Sequence, residues 1–250
     1  MMERCPTGIP GLDELLEGGF PRGRVMLLAG GCGTGKSIMA TQFLYNGAVE
    51  HGEAGVLVSF EQNPKILKED MMHMGFDLQK LEDEKKLIIV DASLSGIAFP
   101  ERAGEYTLST QSSFTLDSVL GIISKAVQTV GAKRAIVDSF SALDSLIETV
   151  KTYGSSNTEN VRRTMLGINY RLQSMGLTSV LISDVLDDGK ISKYGIEEFM
   201  VDGVITMHYN VEGPDAGRHL IVRKMRNTKH SENINTIEFE RGEGVRVHSL

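Results

Sequence analysis

The length, composition and charge of the chain exclude several classes of protein. Its 250 residues are 41% hydrophobic and 24% charged, which is typical of a globular protein with a substantial core. The net charge of −7 argues against a surface built mainly to neutralise nucleic-acid phosphates. Two cysteines, Cys5 and Cys32, are too few for a disulfide framework or a zinc site. Without a secretory signal or a run of about 18 apolar residues, we expect a cytoplasmic protein that does not enter a membrane.

Strand and helix patterns alternate along most of the chain. RVMLLAG is typical of a buried strand, and KSIMATQFLYNGAVEHG is typical of a helix that ends in glycine. This alternation predicts an α/β fold, with a mostly parallel sheet flanked by helices on both faces. We interpret residues 1–250 as one domain. The predicted strands span residues 24–30, 54–60, 86–92, 133–140 and 178–184, and the predicted helices span residues 36–52, 63–75, 115–131 and 158–176.

The last of these helices carries one apolar face. Its apolar residues recur at alternating steps of four and three, as in an amphipathic helix that packs on a sheet. We interpret its methionines as core residues, because methionine fills irregular gaps in cores. The residues of this face are Val161, Met165, Ile168, Leu172 and Met175.

Two stretches depart from the alternating pattern. Residues 93–113 are polar, contain glycine and have no periodicity, and a loop of this length is usually functional. We interpret it as a candidate surface for a partner or for contacts within a ring. The last fifty residues contain four strand-like segments with short connections, at 202–210, 218–226, 234–240 and 244–250. We expect them to be antiparallel and either to extend the main sheet or to form a small sheet beside it.

The segment GGCGTGKS has the spacing of a phosphate-binding loop. Gly30 and Gly35 are separated by four residues, and Lys36 and Ser37 follow directly. The segment follows a strand and begins a helix, so backbone N–H groups and the helix N-terminus can surround phosphate oxygens. Lys36 would reach the outer phosphates and support catalysis, and the Ser37 hydroxyl would bind Mg²⁺. The predicted nucleotide contacts are Gly30, Gly31, Cys32, Gly33, Thr34, Gly35, Lys36, Ser37 and Ile38.

The segment AIVDS supplies a second part of such a site. Asp138 ends an apolar strand, the position from which an aspartate holds Mg²⁺ in P-loop NTPases. Many strands end in aspartate, so this pattern carries weight only together with the phosphate-binding loop. We predict that Asp138 and Ser37 hold the metal ion.

The segment VLVSFEQNP offers a candidate for the general base. Some P-loop families place a glutamate directly after the metal-binding aspartate, but Ser139 occupies that position here. Glu61 instead ends the strand that follows the P-loop helix, and we predict that it activates the attacking water. Gln62 can orient a water or bond nearby, but an amide cannot accept the proton. The alternative is that both side chains are a solvated strand end.

Taken together, these motifs resemble the KaiC-like branch of the RecA superfamily over essentially the whole chain. The resemblance also includes TGIPGLDELLEGGFPRG at 7–23, KYGIEEFMVDGVI at 193–205 and KMRNTKH at 224–230. The relatives of similar length are single-domain archaeal and bacterial proteins. The resemblance implies a RecA-like P-loop NTPase that binds ATP or ADP with Mg²⁺. It also implies a homo-oligomeric ring, commonly a hexamer, with ATP between adjacent subunits.

The resemblance implies further nucleotide contacts made by a neighbouring subunit. In the family a K-x-R-x-x-x-H segment reaches the nucleotide of the next subunit, and here it provides Lys224, Arg226, Thr228 and His230. Lys224 and Arg226 are two residues apart on a predicted strand and therefore share one face. The alternative is a solvated basic edge strand, since charged edges oppose aggregation.

Three departures from the family pattern bear on function. Gln62 replaces the second glutamate of a frequent pair, which makes ATPase activity plausible and autokinase activity doubtful. Glu240 and Arg241 replace a Thr-Asp pair close to the nucleotide, so we do not transfer that contact. His73 lies where a family residue approaches the nucleotide, but it can equally pack in its helix. We assign no phosphorylation to Ser192.

Three functions remain open at this point. The first is an ATP-driven oligomeric switch that acts on an unknown regulatory protein. The second is a recombination or repair ATPase, which the acidic charge and the lack of an added DNA-binding domain make unlikely. The third is a nucleotide-bound scaffold with little turnover, in which ATP stabilises assembly.

Overall fold

The protein is organised around a nine-stranded sheet, in a computed structural model that describes residues 2–93, 106, 115–140, 157–185, 190–211 and 216–249. Near the N-terminus, β1 (Arg4–Cys5) and β2 (Phe20–Pro21) form a separate antiparallel ribbon. The strands of the main sheet are β3 (Val25–Gly30), β4 (Gly55–Ser59), β5 (Leu87–Asp91), β6 (Arg134–Asp138), β7 (Thr178–Asp184), β8 (Gly203–Asn210), β9 (Gly217–Met225), β10 (Asn235–Glu240) and β11 (Gly244–His248).

The order of the strands is β11-β10-β9-β8-β3-β7-β6-β4-β5. The six strands from β8 to β5 in this order are mutually parallel, and β9, β10 and β11 continue the sheet antiparallel at one edge. The predicted α/β fold with a mostly parallel sheet is confirmed. Of the two arrangements left open for the last four strands, the structure has the one that extends the main sheet.

Helices cover the parallel part of the sheet on both faces. They are α1 (Lys36–Glu50), α2 (Pro64–His73), α3 (Leu78–Asp83), α4 (Leu116–Val130), α5 (Asn157–Ser174) and the single-turn α6 (Glu197–Met200). A short 3₁₀ helix spans Glu14–Leu16. Within the described part of the chain, no helix is long and apolar enough to cross a membrane.

The strand sequences are nearly continuous in apolar residues because both faces of the parallel sheet are buried. In β3, Met26 and Leu28 belong to the core beneath α1, α2 and α3, whereas Val25 and Leu27 belong to the core beneath α4 and α5. The predicted apolar face of α5 is confirmed. Four of its residues are buried in the second core, and Met175 packs against it.

Local sequence signals explain where the helices begin and end. Asn63 accepts a hydrogen bond from the backbone N–H of Lys65 and so caps α2, which begins with proline. Thr115 and Ser118 cap α4 reciprocally, and α4 ends at Gly131 in the left-handed conformation. The sequence patterns missed α3, which has less than two turns. The predicted partner loop at 93–113 lies, apart from residues 93 and 106, outside the described residues.

A buried ionic cluster ties α1 to β6. The side chain of Arg134 is fully buried, and its Nε lies 2.7 Å from Oε2 of Glu53. Its Nη1 donates to the carbonyl of Phe43 at 2.8 Å, and its guanidinium lies 4.6 Å from the centre of the Phe43 ring. Arg22 bonds the other oxygen of Glu53 at 2.7 Å. Burial raises the pKa of Glu53, but hydrogen bonds and charge from Arg134 and Arg22 outweigh it, so the pKa lies below its ordinary value.

Candidate active site

The carboxyl ends of the parallel strands meet at one edge of the sheet, where α/β proteins bind their ligands. The loop from β3 to α1 contains the predicted phosphate-binding segment and lies at this edge. A cleft of about 860 Å³ opens beside it. The loop, the end of β4, the end of β6, the end of β7 and helix α2 line this cleft.

The backbone of the phosphate-binding loop has the conformation that its glycines permit. Gly33 has φ +73° and Gly35 has φ +96°, in the left-handed region that favours glycine. A Cβ at Gly35 would also overlap the ring of Phe239. Gly35 precedes the first residue of α1, so the positive end of a 15-residue helix points into the loop. This geometry fits an anion such as a phosphate.

Residues of the C-terminal strands support the outer side of the loop. Arg218 donates from Nε to the carbonyl of Gly33 at 3.1 Å. Its guanidinium lies 4.5 Å from the ring centre of Tyr209 and 5.0 Å from that of Phe239. No sequence motif indicates these three residues, because they lie far from the loop along the chain. Their packing fixes the backbone that would surround the phosphates.

Lys36 is held inside the cleft by two oxygen atoms. Only 7% of its side chain is exposed. Its Nζ donates to the carbonyl of Gly31 at 2.9 Å and lies 3.0 Å from Oδ1 of Asp184. The ammonium group is therefore positioned at the mouth of the loop, where phosphate oxygens could replace or share its partners. Asp184 ends β7 and was missed by the sequence analysis, which identified β7 only as a strand.

The two residues predicted to hold Mg²⁺ lie together. Ser37 and Asp138 line the same cleft, and the Ser37 hydroxyl is close enough to favour the charged form of the Asp138 carboxyl. Burial, together with the nearby carboxylates of Glu61 and Asp184, raises the pKa of Asp138 to about 6, against the opposing effects of Ser37 and Lys36. A hydroxyl and a carboxylate are hard oxygen ligands, and the surplus of carboxylates would be relieved by a divalent cation, so these residues fit Mg²⁺.

Protein ligands for the metal ion are few at this site. Among the residues that the structure describes, no three His, Cys, Asp or Glu side chains are arranged to hold a metal ion. Mg²⁺ typically keeps several waters and binds one or two carboxylates together with the phosphates of the substrate. The pair formed by Ser37 and Asp138 agrees with that mode of binding.

Glu61 lies in the same cleft, at the end of β4. Its side chain is exposed, and it accepts a hydrogen bond from the Ser139 hydroxyl at the end of the neighbouring β6. The carboxylate of Asp184 lines the same cleft. The structure therefore brings together the predicted lysine, metal ligands and base, which come from three different elements: α1, β6 and the end of β4. The role of Glu61 as the base stays a prediction.

Helix α2 forms the wall of the cleft that faces the loop. Gln62 donates from Nε2 to Oδ2 of Asp70 at 3.2 Å, so its amide is directed toward this helix. His73 also lines the cleft, with Nδ1 2.8 Å from the carbonyl of Glu69. Gln62 and His73 thus lie beside the site, and each makes a hydrogen bond to a residue of α2.

The four residues implied to serve a neighbouring subunit lie away from this cleft. Met225 of β9 is paired with Gly203, which is paired with Met26 near the amino end of β3, whereas the phosphate-binding loop follows its carboxyl end. These four residues therefore lie at or beyond the amino ends of the parallel strands, opposite to the strand ends that form the cleft. A single copy of the chain does not bring them to its own candidate nucleotide site.

These four residues are held by their own chain. Lys224 donates from Nζ to the carbonyls of Glu198 at 3.0 Å and Val201 at 2.7 Å, and burial together with the charge of Arg226 lowers its pKa. Arg226 is 58% exposed, with Nη1 3.5 Å from Oδ1 of Asp202. Thr228 accepts a hydrogen bond from Arg4 at 2.6 Å. Nδ1 of His230 lies 3.0 Å from the carbonyl oxygen of Ser231.

Ser192 has a structural role in the segment before α6. It is fully buried and donates from Oγ to Oε2 of Glu197 at 2.6 Å. Glu197 is also fully buried, and it accepts a further bond from Ser183 of β7 at 3.2 Å. The hydroxyl of Ser192 is therefore not available at the surface.

Comparisons with known proteins agree with this fold. A family model described as "ATPase: KaiC" matches residues 5–250. A UPF0273 protein of Methanocaldococcus jannaschii is 35% identical over 231 residues, which cover 92% of this chain and 90% of that protein. The circadian clock oscillator protein KaiC of Synechococcus elongatus is 36% identical over 225 residues, which cover 90% of this chain and 40% of the clock protein. The crystal structure of a KaiC-like protein from the hyperthermophilic archaeon Pyrococcus horikoshii has a TM-score of 0.80 and 34% identity, with both chains fully covered. This chain therefore belongs to the KaiC family of ATPases.

Proposed function

We propose that the protein binds ATP with Mg²⁺ in the cleft beside the β3–α1 loop and hydrolyses it to ADP and phosphate. The observation that carries this proposal is the convergence of Lys36, the Ser37–Asp138 pair and Glu61 on one cleft. Each supplies a function that phosphoryl transfer needs: charge on the phosphates, a place for the cation, and a base. The matched family, described as an ATPase, supports the same reaction.

The residues of this chain divide the work as follows. Backbone N–H groups of the loop and the N-terminus of α1 bind and orient the phosphates. Lys36 stabilises negative charge that develops on the transferring phosphoryl group. Glu61 accepts the proton of the attacking water, and Ser139 fixes the direction of its carboxylate. A bound Mg²⁺ ion would neutralise phosphate charge, with Ser37 and Asp138 as its protein ligands.

We also propose that the protein assembles into a homo-oligomeric ring, a hexamer, with the nucleotide between subunits. A residue that contacts the nucleotide of a neighbouring subunit must be exposed and must lie away from the cleft of its own subunit. Arg226 is exposed near the amino ends of the parallel strands, opposite to the cleft. Lys224, Thr228 and His230 are close to it in the chain and would approach the same neighbouring nucleotide. A head-to-tail contact of this kind closes into a ring when the rotation permits.

The biological role that fits these features is a regulatory switch in the cytoplasm. Hydrolysis would change the contacts between subunits and thereby the affinity for a regulatory protein, which is unknown. We do not propose a role on DNA, because the chain is acidic overall, with a net charge of −7. Autokinase activity is not part of the proposal, since Gln62 bonds Asp70 and cannot act as a base.

The experiment that tests the proposal is steady-state phosphate release with Mg-ATP by the wild type and by Glu61→Gln. We expect turnover by the wild type and a loss of nearly all activity in the variant, with ATP still bound, because the amide keeps the shape of the side chain but accepts no proton. No turnover by the wild type above that of the variant would overturn hydrolysis. ATP binding without turnover would then indicate a scaffold that ATP stabilises.

A further inference from the structure

Asp184 occupies a central position that no motif of the sequence indicates. It ends β7 and is paired in register with Gly30, the first glycine of the phosphate-binding loop. The next residue, Val185, donates its backbone N–H to the Gly30 carbonyl at 3.0 Å. The carboxylate of Asp184 is therefore fixed beside the loop by the pairing of two central strands.

The contacts of Asp184 join two parts of the site. Its Oδ1 lies 3.0 Å from Nζ of Lys36, which would bind the phosphates. On its other side it faces Glu61 in the same cleft and affects its charge, and Glu61 accepts a hydrogen bond from Ser139. Because Asp184, Ser139 and Glu61 come from the adjacent strands β7, β6 and β4, their relative positions are set by the sheet.

These contacts have opposite consequences for binding and for turnover. A carboxylate bonded to Lys36 competes with phosphate oxygens for the ammonium group and repels the phosphates themselves, so it weakens nucleotide binding. The same carboxylate, together with Ser139, restricts the orientation of Glu61, and a base must be aligned with the attacking water to be effective.

We propose that Asp184 is a positioning residue for hydrolysis, one that together with Ser139 holds Glu61 in line at the expense of nucleotide affinity. This inference rests on the function proposed above. A residue that only stabilises the fold would behave differently, because its loss would lower nucleotide affinity and the turnover number together.

The test compares Asp184→Asn with the wild type in two separate measurements. The turnover number is measured by phosphate release with saturating Mg-ATP, and it should fall about 10- to 100-fold, the range expected when a catalytic group is misplaced. The affinity for a fluorescent ADP is measured without Mg²⁺, so that the carboxylate acts only on Lys36 and the phosphates. It should rise about two- to fivefold, as expected from the loss of one partly exposed ion pair.

Two further variants serve as controls. Asp83→Asn removes the same charge from an exposed position on α3 that does not line the cleft, and it should leave both quantities within about twofold of the wild type. Ser139→Ala removes the hydroxyl next to Glu61 without a change of charge. It should lower the turnover number and leave the ADP affinity unchanged.

Each outcome decides a different part of the inference. A turnover number of Asp184→Asn within twofold of the wild type would overturn the positioning role. An ADP affinity that is unchanged or weaker would overturn the competition for Lys36. If the wild type does not hydrolyse ATP, the proposed function fails, whereas the competition for Lys36 is still decided by the ADP measurement alone.

Discussion

The Nε atom of Arg134 lies 2.7 Å from Oε2 of Glu53, and the arginine side chain is fully buried. The same carboxylate bonds Arg22 at 2.7 Å, so a single glutamate pairs with two arginines. There is no room beside this pair, because a Cβ on Gly47 of α1 would overlap the Arg134 guanidinium. A buried ion pair contributes little net stability, but the loss of one partner leaves an uncompensated buried charge.

We therefore expect Glu53→Gln to lower the free energy of unfolding by about 3 kcal/mol, at the lower end of the effect for broken buried pairs because Glu53 is partly exposed. Urea denaturation followed by circular dichroism measures this difference. Glu84→Gln is the matched control. Glu84 bonds Lys86 at 2.8 Å on the surface, and its replacement should leave the denaturation midpoint unchanged. Equal destabilisation by both variants would contradict the importance of burial.

The same cluster predicts a dependence of stability on pH. The pKa of Glu53 is lowered in the folded protein, since hydrogen bonds and charge from Arg134 and Arg22 outweigh the opposing effect of burial. A depressed carboxyl pKa contributes stability that is complete above the pKa of the unfolded chain, about 4.3, and is lost as the pH falls through the lower folded value. Urea midpoints of the wild type should thus fall more steeply than those of Glu53→Gln on acidification below about pH 5. Parallel curves for the two proteins would count against this assignment.

Gly35→Ala should abolish nucleotide binding and lower stability. Gly35 has φ +96°, a conformation that costs an alanine about 1–2 kcal/mol, and the added methyl group would meet the Phe239 ring. Binding of a fluorescent ADP and thermal melting measure the two effects. Gly121→Ala is the matched control, because Gly121 lies within α4 with open space around it. That change should stabilise the protein by about 0.5–1 kcal/mol and leave binding intact.

Shared active sites can be recognised by mixing two inactive variants. If Glu61 acts on the nucleotide of its own subunit and Arg226 acts on that of its neighbour, Glu61→Gln and Arg226→Ala should complement each other. In a random equimolar ring about one site in four then has both functional residues, so about a quarter of wild-type phosphate release should return on mixing. The double variant mixed with Glu61→Gln has no complete site and serves as the control. Absence of recovery from rings of confirmed mixed composition would mean that Arg226 does not act across an interface.

The parts of the site that the sequence predicted are those formed by adjacent residues. Gly30 to Ile38 runs from the end of β3 through a short loop into the first turn of α1, a context that the local pattern specifies. Asp138 and Glu61 could be placed at the same edge of the sheet because parallel strands end there together. Their positions in the cleft follow from strand ends and require no knowledge of side-chain packing.

The parts that the sequence did not predict depend on which strands are neighbours. Asp184 lies beside Lys36 because β7 is paired with β3, and hydrophobic periodicity does not determine strand order. Arg218 and Phe239 reach the loop only because the C-terminal strands continue the main sheet, which the sequence left open as one of two arrangements. Arg134 begins a strand as a charged residue, a position that is typical of an exposed side chain, and its complete burial depends on the distant Glu53.

An arginine lies near each end of strand β9. Arg218, near its first residue, bonds the phosphate-binding loop of its own subunit, and Arg226 directly follows its last residue at the far edge of the sheet. Eight residues of extended chain span about 26 Å, and pairing with β8 and β10 keeps the strand from bending freely. In the proposed ring, β9 would thus be a stiff strand that links consecutive nucleotide sites. A change of the loop backbone in one site would then have a direct mechanical route to the next.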